Sequence, residues 1–174
     1  MEHSAVTQAA PAKACGSCMM CCKVLRIEEL VKPPGVWCRH AVTGKGCGIY
    51  ESRPPVCQSF YCQWMLDSSL GPEWKPEKAK FVMFLDRKNQ EVFNINVDPA
   101  FPDAWRRPPY LARIKQWVAD GATLGRFVVV HVRAQLIAVL PDRIVELGSA
   151  KPEFLLLRER DPSGRTIQVR IKPD

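Results

Sequence analysis

Apolar and polar positions change rhythm near residue 77. Beyond it, residues 80–85 and 91–97 read as two strands, and the polar stretch from Asp86 to Gln90 between them suits a hairpin tip. Residues 98–109 are Pro-rich and read as loop. Tyr110, Leu111, Ile114, Trp117 and Val118 then recur at helical spacing, with Gly121 as the expected stop. Residues 126–133, 136–140, 143–147, 153–160 and 166–172 read as strands. In the last of these Ile167, Val169 and Ile171 alternate with Gln168, Arg170 and Lys172, the pattern of a half-exposed antiparallel hairpin closed by Asp161-Pro162-Ser163-Gly164.

Before residue 77 no such rhythm holds. Pro33-Pro34-Gly35, Gly44-Lys45-Gly46 and Pro54-Pro55 interrupt the chain, and only residues 26–31 look like a helical turn. The expected organisation is a disordered start (1–12), a loop-rich module (13–64), a Pro-rich bridge from Gly71-Pro72 to Pro76, and a scaffold (77–174). The fold class is α+β, with an antiparallel, β-rich scaffold carrying one main helix. No internal repeat is visible, and no stretch reaches the ~20 apolar residues that span a bilayer.

The loop-rich module has too few apolar residues to fold by burial alone, and it holds all eight cysteines of the chain: Cys15, Cys18, Cys21, Cys22, Cys38, Cys47, Cys57 and Cys62. Thiols this dense are disulfides or ligands of a soft or borderline metal. Residues 1–14 lack a charged start followed by an apolar core, so the expectation is a cytoplasmic chain whose cysteines bind metal. Metal binding would then supply the stabilisation that burial cannot. The formal charge of +7 also changes meaning: eight thiolates around two divalent ions bring it to 7 − 8 + 4 = +3. Basic residues are scattered without long blocks, which argues against nucleic acid as the partner and leaves metal ions as the expected ligand.

Gaps of two residues return sulfurs to one point, as in zinc knuckles and the first three ligands of a ferredoxin cluster, although no Cys-Pro follows here. Four thiolates suit zinc or iron equally, including an iron-sulfur cluster that would make the chain a redox protein. On a continuous helix Cys15, Cys18 and Cys22 would share a face from which Cys21 diverges, so the adjacent pair serves different metals or one member bridges. The spacing does not assign the ligands to sites. His40 could replace a sulfur or be a loop histidine; Met19 and Met20 read as packing. Arg53 could stabilise a negatively charged thiolate site or pair with Glu51. Phe60 and Trp64 are placed to shield sulfur from water.

The stretch from Cys47 to Cys62 is more specific. Its Cys-x-Ile-Tyr-Glu-x-Arg-Pro-x2-Cys and closing Cys-x2-Phe-x-Cys, with Cys-x2-Cys-x2-Cys-Cys upstream and Cys38 between, resemble the bacterial cysteine-cluster proteins described as zinc- or iron-chelating domains. The resemblance covers residues 15–62 and rests on the eight cysteines with Tyr50, Arg53, Pro54 and Phe60. It implies metal chelation by those cysteines.

Other chemistry is absent or ambiguous. Gly44-Lys45-Gly46 does not complete a phosphate loop and reads as a surface turn, and neither Gly-x-Ser-x-Gly nor His-Glu-x2-His occurs. His131 is expected as a structural histidine on an exposed strand face. Trp105, Arg106, Arg107, Tyr110, Arg113 and Trp117 could stack bases, but they equally describe a helix with Tyr110, Ile114 and Trp117 buried and Arg113 and Lys115 solvated.

Overall fold

The computed structural model describes residues 11–86, 91–122, 126–149, 156–160, 162–163 and 166–171. Expectations for residues 1–10, the hairpin tip at 87–90, residues 153–155, and Asp161 and Gly164 lie outside them. In the cysteine-rich half the elements are short: α1 (Met20–Val24), the two-residue strands β1 (Ala41–Val42) and β2 (Gly46–Cys47), α2 (Pro55–Gln58), α3 (Gln63–Leu66) and α4 (Pro76–Ala79). Residues 26–31 supply one 3-10 turn at Glu28–Leu30, as their composition suggested. The three helices after Cys47 each form a single turn around a proline or after a cysteine. Such turns carry no apolar periodicity that a sequence could announce.

The second half follows its pattern closely. β3 (Phe81–Leu85), β4 (Val92–Val97), α5 (Tyr110–Ala122), β5 (Phe127–Val132), β6 (Gln135–Val139) and β7 (Ile144–Gly148) build a five-stranded sheet in the order β3-β4-β5-β6-β7. β8 (Leu156–Arg160) and β9 (Thr166–Ile171) form a separate antiparallel hairpin. The fold is α+β with one main helix. All sheet pairs are antiparallel except β4–β5, which is parallel because α5 carries the chain back to the starting end of β4. α5 passes the expected stop by one residue. Gly121 stays helical and its carbonyl accepts the Arg126 N–H at 3.0 Å.

Side-chain alternation gives the sheet two buried faces. Phe81 and Met83, Ile95 and Val97, Val128 and Val130, and Ile137 and Val139 point to one side, where Ile114 and Val118 of α5 meet them together with Trp74, Trp105 and Tyr110. Helical spacing buries Tyr110, Ile114 and Val118 and leaves Arg113 and Lys115 exposed, as anticipated; Trp117 is half-buried. Trp105 is fully buried and Tyr110 nearly so, which removes both from any base-stacking surface. On the other side, Val92, Phe127, Val129, Ala138 and Leu140 cluster across the centre of the sheet.

The edge strand β3 joins the two halves. Its outward residues Val82 and Phe84 pack on Cys18, Met20, Val24 and Cys62, so the cysteine-rich segment sits on the sheet rather than beside it. The bridge between them is part of the main core through Leu70 and Trp74. Lys23 of α1 is ion-paired at 2.7 Å with the buried Asp98 that follows β4, and Lys13 Nζ donates to the carbonyls of Asp67 and Leu70 at 2.6 Å. Among the described residues no helix is long and apolar enough to cross a membrane.

Candidate metal centre

Six local devices deliver the eight cysteines. Gly16, with φ of 60°, makes the tight turn that brings the Cys18 N–H onto the Cys15 carbonyl at 3.3 Å. Only then does α1 begin, so Cys21 and Cys22 are helical while Cys15 and Cys18 lie in the turn ahead of them. A shared helical face for Cys15, Cys18 and Cys22 therefore does not form. The Cys38 N–H donates to the Cys22 carbonyl at 3.0 Å, tying the middle of the segment to α1. Cys47 stands opposite Ala41 in the β1–β2 hairpin. The Gly44-Lys45-Gly46 turn closes that hairpin, with φ of 74° and 99° at its glycines. Pro54 and Pro55 start α2, which carries Cys57, and Cys62 stands at the mouth of α3 with its carbonyl accepting from Met65 N at 2.9 Å.

These devices converge. All eight cysteines line a single hollow of about 170 Å³, although they come from six separate turns, strands and short helices. All eight are free thiols, with Cys18, Cys38 and Cys62 buried and the other five half-buried. Among the described residues no three His, Cys, Asp or Glu side chains already stand at metal-ligand spacing. A tetrahedral zinc site needs sulfurs roughly 3.8 Å apart around ligand bonds of about 2.3 Å. The donor set itself, eight thiols with no carboxylate lining the hollow among the described residues, has the softness that suits zinc or iron better than the hard cations.

Electrostatics within the hollow favour partial ionisation. Contact with the Cys18 sulfur, then burial, push the Cys15 thiol far up, and the same contact draws Cys18 down. Contact between the neighbours Cys21 and Cys22 likewise raises Cys21 and lowers Cys22, and the charges of Lys32 and Arg53 help hold Cys22 down. Burial first, then the surrounding thiols, raise Cys57; burial also raises Cys62.

The accessory residues fall into place unevenly. His40 and Met19 line the hollow, and Met20 is buried in the apolar cluster beneath it. Phe60 packs edge-on against Phe84, with ring centroids 5.5 Å apart, and both Phe60 and Trp64 join the cluster around Cys18 and Cys62. Arg53 lines the hollow too, but its Nε donates to the Tyr50 carbonyl at 2.7 Å and its guanidinium lies 3.6 Å from the Tyr50 ring centroid. Among the described residues it forms no ion pair with Glu51. Sequence reasoning passed over Lys32. It is 6% exposed, its Nζ donates to the carbonyls of Lys23 (2.7 Å) and Leu25, and burial lowers its pKa while Cys22, Cys38, Cys21 and Cys57 pull it back up. A lysine before two prolines looks like a surface loop, and no sequence signal marks it. His131 is remote from the hollow, half-buried, and donates through Nε2 to Asn94 Oδ1 at 2.7 Å.

No protein-family model matches this chain, and no curated protein or solved structure matches it.

Proposed function

We propose that this chain is a metal-chelating protein that binds zinc or iron through Cys15, Cys18, Cys21, Cys22, Cys38, Cys47, Cys57 and Cys62, in a structural, storage or partner-binding role in the cytoplasm. One observation carries the reading: thiols spread from Cys15 to Cys62 all line the same hollow. Chance placement of cysteines on a loop-rich surface would scatter them. The likeness of residues 15–62 to cysteine-cluster proteins points the same way. Thiolates that fill every coordination position leave none open for a substrate, which favours binding over catalysis.

The test is purification under nitrogen without added metal, followed by elemental analysis and an absorption spectrum. Colourless protein with about two zinc ions per chain supports a zinc protein. Brown protein with broad visible absorption and bound sulfide assigns the same cysteines to an iron-sulfur redox centre. Freshly prepared protein that carries pre-formed disulfides, or that takes up neither metal on reconstitution, overturns the proposal.

A further inference from the structure

The hollow is divided. Cys15, Cys18, Cys21 and Cys62 all belong to the apolar cluster that β3 seats with Val82 and Phe84, whereas Cys22, Cys38, Cys47 and Cys57 all stand outside it. The second four have their own connections. Cys38 is hydrogen-bonded through its N–H to the Cys22 carbonyl, and its own carbonyl accepts from Ala41, the residue opposite Cys47 in the hairpin.

Resting on the metal reading above, we infer that the hollow holds two tetrathiolate centres for divalent zinc-like ions, one formed by Cys15, Cys18, Cys21 and Cys62 against β3 and the other by Cys22, Cys38, Cys47 and Cys57 beside the β1–β2 hairpin. The seam falls between the adjacent residues Cys21 and Cys22. Four thiolates around a divalent ion carry a net −2, and each quartet has cations at hand. Lys75 Nζ stands beside Gly16, in the turn between Cys15 and Cys18; Lys32 is held by the carbonyls of Lys23 and Leu25 just past Cys22, and Arg53 lines the hollow.

Cadmium-113 NMR of the full chain, with metal content measured alongside, tests the assignment. Wild-type protein should take up about two cadmium ions and give two signals from four-sulfur sites. Cys15→Ser and Cys62→Ser should each lose one and the same signal and retain about one ion; Cys38→Ser and Cys57→Ser should lose the other. Loss of the same signal by Cys62→Ser and Cys57→Ser overturns the partition. So does joint collapse of both signals in every variant, or coupling between the two cadmium nuclei through a shared sulfur. Should the variants precipitate, the wild-type chain suffices: chelator removes part of its metal, the exposed thiols are alkylated, and fragment masses show which cysteines are released together. Release that mixes the quartets, such as Cys15 with Cys38, also overturns it. A wild-type chain that takes up no zinc or cadmium sinks the metal reading itself, whereas a loaded chain with crossed groupings sinks only this assignment.

Discussion

Lys32 places a positive charge where only 6% of its surface meets water, and two backbone carbonyls from the end of α1 hold it there. Lys32→Met keeps the stem and removes the ammonium, leaving both acceptors without that donor. The cost should be about 1–3 kcal/mol of stability. Metal should also leave faster, because Cys22, Cys38, Cys21 and Cys57 lose the charge of a buried cation. Chelator competition and thermal melting check both effects, and a variant unchanged in metal retention would remove Lys32 from the site. His131 offers a pH test away from the thiols. Burial lowers its pKa from 6.5 to about 4 against a weaker opposing pull from Asp86, so the fold holds it neutral. Between those values the unfolded chain binds the extra proton. The stabilising contribution is therefore complete above pH 6.5 and is lost as pH falls through 4, by on the order of 3 kcal/mol. His131→Gln, which can still donate to Asn94 but does not titrate, should flatten that part of the acid-unfolding profile when both proteins are reduced and metal-free. Identical profiles would show that the histidine charges freely in the fold.

At the scale of elements β3 decides the architecture, because its two faces serve different cores. Phe81 and Met83 belong to the α5 side, Val82 and Phe84 to the cysteine side. Phe81→Ala should cost about 3–5 kcal/mol and lower the melting of the whole chain. Phe84→Ala is smaller in stability, since Phe84 is half-buried, but should speed metal release to chelator, which Phe81→Ala should do only through global unfolding. Equal release rates at matched stability would show that the strand does not support the thiols. The strands of the second half were legible because alternating or continuous apolar runs encode them directly: Phe127–Val132 and Val92–Val97 match their patterns within a residue at each end. α5 was legible through Tyr110, Ile114 and Val118. The parallel β4–β5 pair was not, since a residue pattern shows that a strand is buried but not which way its neighbour runs. The single-turn helices around Cys57 and Cys62 escaped for a related reason. Proline placement and a few backbone hydrogen bonds make them, not periodicity. For the hollow, the number and spacing of the cysteines were legible in the sequence, while their convergence depends on tertiary contacts such as those of Cys18 and Cys62 with Val82.

Across the whole molecule the two halves differ in what would hold them together. The core between α5 and the sheet rests on large aromatic and aliphatic side chains, among them Trp74, Trp105, Phe81 and Ile114, and the sheet's other face adds Val129 and Leu140. The cysteine side has Cys18, Met20, Val24, Cys62 and Val82 as its buried centre, and two of those five are thiols. Metal bound as proposed would convert those thiols from weak packing groups into cross-links, and its binding free energy would become folding free energy for this half alone. Removing metal with chelator under reducing conditions should therefore raise hydrogen exchange across residues 15–62 by at least an order of magnitude, while the amides of β4, β5 and β6 stay protected. Residues 71–74 should follow the sheet, because Trp74 packs edge-on against Phe81 and Tyr110. β3 should show an intermediate response: its ladder to β4 persists, but Val82 and Phe84 lose their cover. Uniform deprotection of both halves would mean that the sheet depends on the metal too, and that the chain folds as one cooperative unit around its thiols.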